Sequence, residues 1–197
     1  MEVRDFSPGP LTALLGDNGS GKTTLGKLAA GILRSDSGRI LYDGQDIAAW
    51  PLGKIGAQTG YLFQEPSRQI FAPNPVEEIA FPLELRGCPK PEAEETARAL
   101  LAEFELEDIA DSATYTLSRG EKQRLAMAAA MAARPRFFVL DEPTTGLDDR
   151  RRGILLDALL RLAGQGVGLL VITHDRPFAG ALGADLRFMK GGRLTDD

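Results

Sequence analysis

One glycine-rich segment constrains this chain more than any other, because it fixes a strand, a loop and a helix in that order. The apolar run LTALLG at 11–16 predicts a buried strand, and GKTTLGKLAAGILR at 21–34 carries apolar residues at helical spacing. Between them, GDNGSGKT at 16–23 fits the pattern G-x-x-x-x-G-K-[ST]. Its glycines let successive backbone N–H groups point inward at phosphate oxygens, and the helix adds its positive end. The segment therefore predicts a phosphate-binding loop.

The residues of this loop have separate predicted roles. Lys22 is expected to reach the β- and γ-phosphates of a nucleotide, and the hydroxyl of Thr23 to hold Mg²⁺. No N-K-x-D segment occurs in the sequence, so selectivity for guanine has no visible basis. The other predicted nucleotide contacts are Asp17, Asn18, Gly19, Ser20, Gly21 and Thr24.

Two carboxylates follow a second apolar strand. RFFVLDEP places Asp141 and Glu142 directly after that strand, and a side chain at the carboxyl end of a parallel strand faces the ligand crevice. Asp141 is expected to bind Mg²⁺ through water, and Glu142 to orient or deprotonate the water that attacks the γ-phosphate. Acidic residues also begin many ordinary loops, and it is the phosphate loop that favours the functional interpretation.

The remaining pattern alternates strands with helices and predicts an α/β fold of the P-loop NTPase type, with a parallel sheet covered by helices on both faces. Residues 65–133 instead show helical periodicity. We expect one domain over 1–197, with a core from 1–64 and 134–197 and an inserted helical subdomain at 65–133. Further strands are predicted within GRILYDGQDI (38–47), TGYLFQ (59–64), GVGLLVIT (166–173) and a C-terminal hairpin, DLRFMKGGRLTDD.

Composition excludes several classes of protein. A formal net charge of −5 is a poor match for a phosphate backbone, so nucleic acid is not an expected partner. The single cysteine, Cys88, excludes an internal disulfide and fits a reducing compartment. One histidine excludes a metal site built from several histidines. No apolar run reaches the roughly 20 residues of a membrane-spanning helix. If the protein acts at a membrane, we expect it to do so through a partner protein.

The order of these motifs resembles the nucleotide-binding domain of ABC transporters over nearly the whole chain. The separations are short: 54 residues from Gln64 to Ser118, 23 from there to Asp141, and 33 on to His174. The 54 residues between Gln64 and Ser118 leave no room for the long coiled coil that family members in chromosome and repair machinery carry there. The matching segments are GDNGSGKTT (phosphate loop), Gln64 in YLFQEP (Q-loop), LSRGEKQR (signature), FFVLDEP (Walker B), Asp148 in TTGLDD (D-loop) and His174 in VITHD (switch histidine).

The resemblance implies ATP hydrolysis with Mg²⁺ in a head-to-tail homodimer or heterodimer. The signature residues would contact ATP held by the facing subunit, and Gln64 would add a metal ligand. Ser118 and Glu121 also form S-x-x-E, a helix capping box that is compatible with that role. The implied catalytic residues are Gln64, Glu142, Asp148 and His174, and the implied signature contacts are Ser118, Arg119, Gly120 and Glu121.

FQEPSRQIFAPNPVEEIAF, which includes Gln64 to Phe81, is similar to the energy-coupling-factor and cobalt-type importer ATPases. There such a segment forms part of a groove that grips transmembrane subunits. The similarity implies an importer of a metal ion or vitamin-like solute, with this chain on the inner face of the cell membrane. The alternative is a surface loop with ordinary packing at Ile70 and Phe71.

Two features depart from the family pattern. Arg119 stands where the signature normally has glycine, and Glu121 where it has glutamine. A first strand and an adenine-stacking aromatic normally precede the segment VRDFSPGP; we expect both to be missing, with Phe6 too close to the phosphate loop to replace the aromatic. These departures leave open a catalytically weak or regulatory module that does not drive transport.

Overall fold

The computed structural model describes residue 6 and residues 9–195. Strands form wherever β-branched and aliphatic residues run continuously or next to tight turns. In chain order they are β1 (Leu11–Leu15), β2 (Leu41–Tyr42), β3 (Gln45–Asp46), β4 (Thr59–Leu62), β5 (Phe137–Asp141), β6 (Gly168–Ile172), β7 (Asp185–Lys190) and β8 (Arg193–Thr195).

One sheet has the strand order β4-β5-β6-β1-β7-β8. β1 pairs in parallel with both β6 and β7, and β5 pairs in parallel with β6. β8 returns antiparallel to β7 at the edge, and β2 and β3 form a separate antiparallel pair. The predicted parallel sheet and C-terminal hairpin are confirmed. Four of the five residues in each of β1, β5 and β6 are buried. Burial on both faces of the sheet explains why the sequences of these strands are almost entirely apolar.

The helices include two that periodicity did not predict, α2 and α7. They have 7 and 6 residues and contain glycines, so neither carries a long apolar stripe. None of the helices in residues 9–195 has the length and apolar content needed to span a bilayer. The helices are α1 (Lys22–Ala29), α2 (Leu52–Gln58), α3 (Pro75–Glu84), α4 (Lys90–Glu103), α5 (Arg119–Ala132), α6 (Asp149–Gly164) and α7 (Arg176–Ala181).

The chain divides into two compact units. The strand unit consists of Met1–Tyr61, Pro135–Thr144 and Leu156–Asp197, and the helical unit of Leu62–Arg134 and Thr145–Leu155. In the helical unit α3, α4 and α5 pack on one another. In the strand unit Phe6 packs, partly buried, against a core cluster formed by Leu14, Leu25, Ala30, Val139, Leu170, Ile172 and Met189.

Gly16 is the residue at which β1 turns into the phosphate loop, and it lies directly against β7. A Cβ atom placed there would lie 2.2 Å from the carbonyl oxygen of Met189, and the φ angle is +150°. The neighbouring atom belongs to the backbone and cannot rotate away. Glycine is therefore required at this position, both for the close approach of β1 to β7 and for the backbone conformation of the loop.

We expect Gly16→Ala to lower the free energy of unfolding by at least about 1–3 kcal/mol, because the methyl group forces β1 and β7 apart. Urea denaturation measures this. Gly53→Ala in α2 is the control: a Cβ there meets nothing within 4 Å, so this change should leave stability unchanged or raise it by up to about 1 kcal/mol. Equal stability of both variants would contradict the close contact at Gly16.

Candidate active site

Three neighbouring parallel strands end at the same edge of the sheet in the strand unit. β6 lies between β1 and β5, and Asp141 at the end of β5 is in register with Ile172 at the end of β6. The phosphate loop follows β1, Glu142 follows β5, and His174 follows β6. The topology therefore gathers the chemistry-bearing residues of this unit at one edge, where α/β sheets bind ligands.

The phosphate loop curls around the amine of Lys22. Nζ of Lys22 donates to the carbonyl oxygens of Gly16, at 2.7 Å, and of Asp17, at 2.8 Å. Gly19 and Gly21 have φ angles of +78° and +104°, which the curl requires. With the side chain of Lys22 buried and α1 beginning at that residue, a fixed cation and a helix N-terminus face the same concavity. This arrangement suits an anion with several oxygens.

The other predicted contacts of the loop differ in exposure. Asp17, Asn18, Gly19 and Thr24 are exposed, whereas Ser20 is buried. The carbonyl oxygen of Ser20 accepts a hydrogen bond from the N–H of Gly192 at 2.8 Å. Ser20 is thus hydrogen-bonded to the rest of the strand unit, while Asp17, Asn18, Gly19 and Thr24 are accessible to a ligand.

Asp141 lies between two hydroxyl groups. Thr23, on the first turn of α1, donates to its carboxylate, and the hydroxyl of Tyr61, on β4, donates to Oδ2 at 3.1 Å. Burial raises the pKa of Asp141, while these two hydrogen bonds act to lower it. Burial and the neighbouring charge of Asp141 raise the pKa of Tyr61, so its hydroxyl remains a donor.

A hydroxyl and a carboxylate in contact are the oxygen donors that Mg²⁺ prefers. Within residues 9–195, no group of three or more His, Cys, Asp or Glu side chains could hold a metal ion alone. A site with so few protein ligands suits an ion that takes its other oxygens from water and nucleotide phosphates. Thr23 and Asp141 therefore fit the predicted role.

Glu142 has an unusual backbone conformation and three close partners. Its φ angle of +52° is left-handed, which costs a non-glycine residue about 1–3 kcal/mol. Its N–H donates to the carbonyl of Ile172 at 2.8 Å, and Oε2 lies 3.3 Å from the hydroxyl of Thr173 and 2.9 Å from Nδ1 of His174. The distance from Oε2 to Nδ1 is that of a hydrogen bond, in which an N–H at Nδ1 donates to the carboxylate oxygen. A buried carboxylate and an exposed imidazole are thus paired where the γ-phosphate is expected.

The remaining predicted site residues lie in the helical unit. Gln64 is exposed and lies two residues after the end of β4. Asp148 is also exposed; its carboxylate accepts from the N–H of Arg151 at 2.9 Å and pairs with the guanidinium of that residue. The backbone hydrogen bond, with the charge of Arg151, holds the pKa of Asp148 below its ordinary value. Asp148 therefore stays ionised and caps the start of α6.

The signature segment forms the expected capping box at the start of α5. The N–H of Ser118 donates to Oε2 of Glu121 at 2.7 Å, and the N–H of Glu121 donates to Oγ of Ser118 at 3.3 Å. These bonds hold the pKa of Glu121 below its ordinary value. At the first two helical positions, Arg119 and Gly120, the N–H groups have no acceptor within the helix. Capping therefore leaves two donors, with the exposed hydroxyl of Ser118, at the tip of α5.

Sequence reasoning did not single out three residues that contact the predicted set: Tyr61, Thr173 and Arg151. Thr173 immediately precedes His174, and Arg151 follows Asp148 at the i,i+3 spacing of a helical ion pair, so local signals existed for both. Tyr61 is 80 residues from Asp141 in sequence. No local pattern connects those two.

The family model and the relatives found by sequence comparison indicate the same protein family. Residues 4–145 match the family described as ABC transporter. A putative ABC transporter ATP-binding protein of Methanosarcina acetivorans is 41% identical over 98% of this chain and 31% of its own length. One from Pyrococcus abyssi is 35% identical over 96% of this chain and 72% of its own. The chain thus spans about a third of the length of some relatives and most of others.

Solved structures agree with the sequence matches. A dimeric ATP-binding cassette in a post-hydrolysis state, bound to ADP and Pi, has the same fold, with a TM-score of 0.87 over 96% of this chain and 85% of its own, at 23% identity. The structure of cbiO1 from Clostridium perfringens, part of the ABC transporter complex cbiONQ, gives 0.78 at 32% identity over 98% of this chain and 78% of its own. The fold, the ordered motifs and the family match together show that this chain belongs to the ABC transporter family, as an ATP-binding domain with the P-loop NTPase fold.

Proposed function

We propose that this chain is an ATP-hydrolysing subunit of an ABC importer, working as a dimer on membrane partners. The observation that carries the proposal is the contact between Glu142 and His174, at the same sheet edge as the phosphate loop. A buried carboxylate held by a hydroxyl and an imidazole is suited to taking a proton from water beside a phosphoryl group. Charge stabilisation and positioning supply the rest of the catalysis.

Each residue has a defined task in this proposal. Lys22 exchanges its two carbonyl partners for the β- and γ-phosphates of ATP. Thr23 and Asp141 would hold Mg²⁺, and the ion would supply positive charge to the phosphates when bound. The role of Gln64 as a metal ligand stays a prediction from the family resemblance. Glu142 accepts the proton of the attacking water, and His174 keeps the Glu142 carboxylate aligned while facing the γ-phosphate.

The first experiment is Glu142→Gln. It removes the proton acceptor while keeping side-chain size, so the hydrolysis rate should fall about 10²- to 10⁴-fold with ATP binding retained. Phosphate release and binding of a fluorescent ATP analogue measure the two effects. Asp157→Asn, an exposed position on α6, is the matched control for loss of a charge. Lys22→Ala should lose nucleotide binding itself.

Size-exclusion chromatography with ATP and Mg²⁺ extends this experiment. Because ATP is no longer consumed, the Glu142→Gln variant should elute as a dimer, whereas wild type returns to monomer. Hydrolysis by the variant at the wild-type rate would refute the role of Glu142. A wild-type chain that binds ATP but never hydrolyses it, even with its membrane partners, would instead support the regulatory module.

The tip of α5 supports action across the dimer. Arg119 and Ser118 are exposed, and the first-turn N–H groups of α5 point out of the helix. These donors suit the γ-phosphate of ATP on a facing subunit. Arg119 adds a positive charge at this tip, and the carboxylate of Glu121 is turned toward the N–H of Ser118.

An exposed aromatic pair in the helical unit supports docking to a transmembrane subunit. Phe71 is 66% exposed and Phe81 is 42% exposed, and their rings meet edge to face with centroids 4.9 Å apart. Leu85, one turn further along, is 72% exposed. Large apolar side chains grouped on a surface mark interaction sites. We define Phe71, Phe81 and Leu85 as the apolar patch.

The loop that carries Phe71 is anchored by buried hydrogen bonds, which favours a binding role for the exposed ring. The buried carboxylate of Glu78 accepts the N–H groups of Phe71, at 2.9 Å, and Ala72, at 2.7 Å. The hydroxyl of Thr114 donates to the carbonyl of Ala72 at 2.7 Å. An anchored aromatic loses little conformational entropy on binding. Phe71 and Phe81 lie within the segment that resembles cobalt-type and energy-coupling-factor ATPases. We therefore propose a metal-ion or vitamin-like solute and a location on the inner face of the cell membrane.

In cells of the source organism, Phe71→Ala should move the chain from salt-washed membranes to the supernatant. Buried aromatic anchors commonly contribute about 2 kcal/mol or more to an interface. Immunoblotting of the two fractions measures the change. Leu52→Ala is the control, since Leu52 is 77% exposed in the strand unit and outside the patch. Unchanged membrane retention of the Phe71 variant would argue for a surface loop with ordinary packing.

A further inference from the structure

Tyr61, the first residue of the segment YLFQEP, contacts the predicted metal carboxylate from β4. Its hydroxyl donates to Oδ2 of Asp141 at 3.1 Å, from β4, the neighbour of β5 in the sheet. Asp141 is 2% exposed, so this oxygen has little access to bulk water. A buried carboxylate oxygen that loses such a donor is left underbonded. The hydrogen bond therefore restrains how the carboxylate turns about its last torsion.

The surroundings of Tyr61 hold its ring in place. The ring packs, partly buried, against the core cluster of the strand unit that includes Val139 and Ile172. Across from it, α1 presents Gly26, where an added Cβ would lie 2.5 Å from Cδ1 of Ile172 and 3.6 Å from the hydroxyl of Tyr61. The absence of a side chain at Gly26 thus brings α1 close to the sheet and leaves room for the hydroxyl.

The same close approach places the opposite partner of the carboxylate. Thr23 lies one turn before Gly26 on α1 and donates to Asp141. Asp141 is therefore fixed from the helix side by Thr23 and from the sheet by Tyr61. Two donors on one carboxylate define its orientation more sharply than either donor alone, as hydrogen-bond partners of metal ligands do in general.

We propose that Tyr61 is a positioning residue for the Mg²⁺ site, orienting the carboxylate of Asp141 for the ion that accompanies ATP. The inference rests on the proposed function, because it takes Asp141 as a metal ligand. Tyr61 does not touch the nucleotide in this proposal. Its loss should therefore weaken metal binding while leaving metal-free nucleotide binding intact.

The test uses Mn²⁺ as the probe, with a non-hydrolysable ATP analogue, on the purified chain. Free Mn²⁺ is followed by electron paramagnetic resonance. Tyr61→Phe keeps the ring, and its Mn²⁺ affinity should fall about 10-fold, the lower end of the effect of losing a partner of a metal ligand. Affinity for a fluorescent ATP analogue in EDTA should change less than about twofold.

Tyr42→Phe is the matched control. Tyr42 is also a partly buried tyrosine of the strand unit, and its hydroxyl donates to the backbone carbonyl of Ala29 instead of to a carboxylate. That variant should keep wild-type Mn²⁺ affinity. Thermal unfolding of both variants shows whether each is folded before the metal titration.

A double-mutant cycle keeps the test specific to the contact. In the Asp141→Asn background, Tyr61→Phe should change Mn²⁺ affinity by less than about twofold, because its effect passes through the carboxylate. Equal 10-fold losses in both backgrounds, or unchanged or tighter Mn²⁺ binding by Tyr61→Phe, would overturn the positioning role alone. If the wild-type chain binds no Mn²⁺ with nucleotide, the proposed function fails, and this inference with it.

Discussion

The close packing of α1 on the sheet is the constraint on which the site in the strand unit depends. At Gly26 the helix backbone comes so near β5 and β6 that a methyl group would press on Ile172 at 2.5 Å and on Val139 at 3.1 Å. This approach brings the first turn of α1 to the end of β5, so that Thr23 reaches Asp141. Gly16 produces a similar constraint on the other side of the loop, against the backbone of β7. Two glycines thus set where the loop, the helix dipole and the acidic strand end meet.

Glu142 shows how the scaffold sustains a strained residue. The left-handed backbone at φ +52° is unfavourable for glutamate, yet it directs the side chain back toward the end of β6. There Thr173 and His174 contact the same carboxylate oxygen, and the N–H of Glu142 itself is bonded to Ile172. Strain at a residue with this many partners is typical of positions where geometry serves chemistry. Burial in the adjoining strands supplies the stability that offsets it.

Local sequence patterns predicted those parts of the molecule that local physics determines. β1, β5 and β6 consist almost entirely of apolar residues, and the capping box at Ser118 and Glu121 is a four-residue pattern, so the sequence alone predicted these features. α2 escaped prediction because seven residues with two glycines carry almost no periodicity. The contact of Tyr61 with Asp141 escaped because strand order, which no four- or eight-residue pattern encodes, brings the two together. The left-handed conformation of Glu142 also escaped prediction, because it depends on contacts with Ile172, Thr173 and His174, which are about 30 residues away in the sequence.

The electrostatics of the strand unit explain why ATP and Mg²⁺ suit it together. Asp141 and Glu142 are adjacent and both buried, and burial, with a smaller effect from the charge of Glu142, raises the pKa of Asp141. A bare triphosphate approaching these carboxylates would meet like charge in a region of low dielectric, where repulsion is strong. Lys22 offers one positive charge, and at present it is held by two backbone carbonyls. In the proposed site, a divalent cation held by Asp141 and Thr23 would offset this repulsion, so we expect metal and nucleotide to bind cooperatively. With the metal present, the orientation of the Asp141 carboxylate, and hence the hydroxyl of Tyr61, would then affect nucleotide binding as well as metal binding.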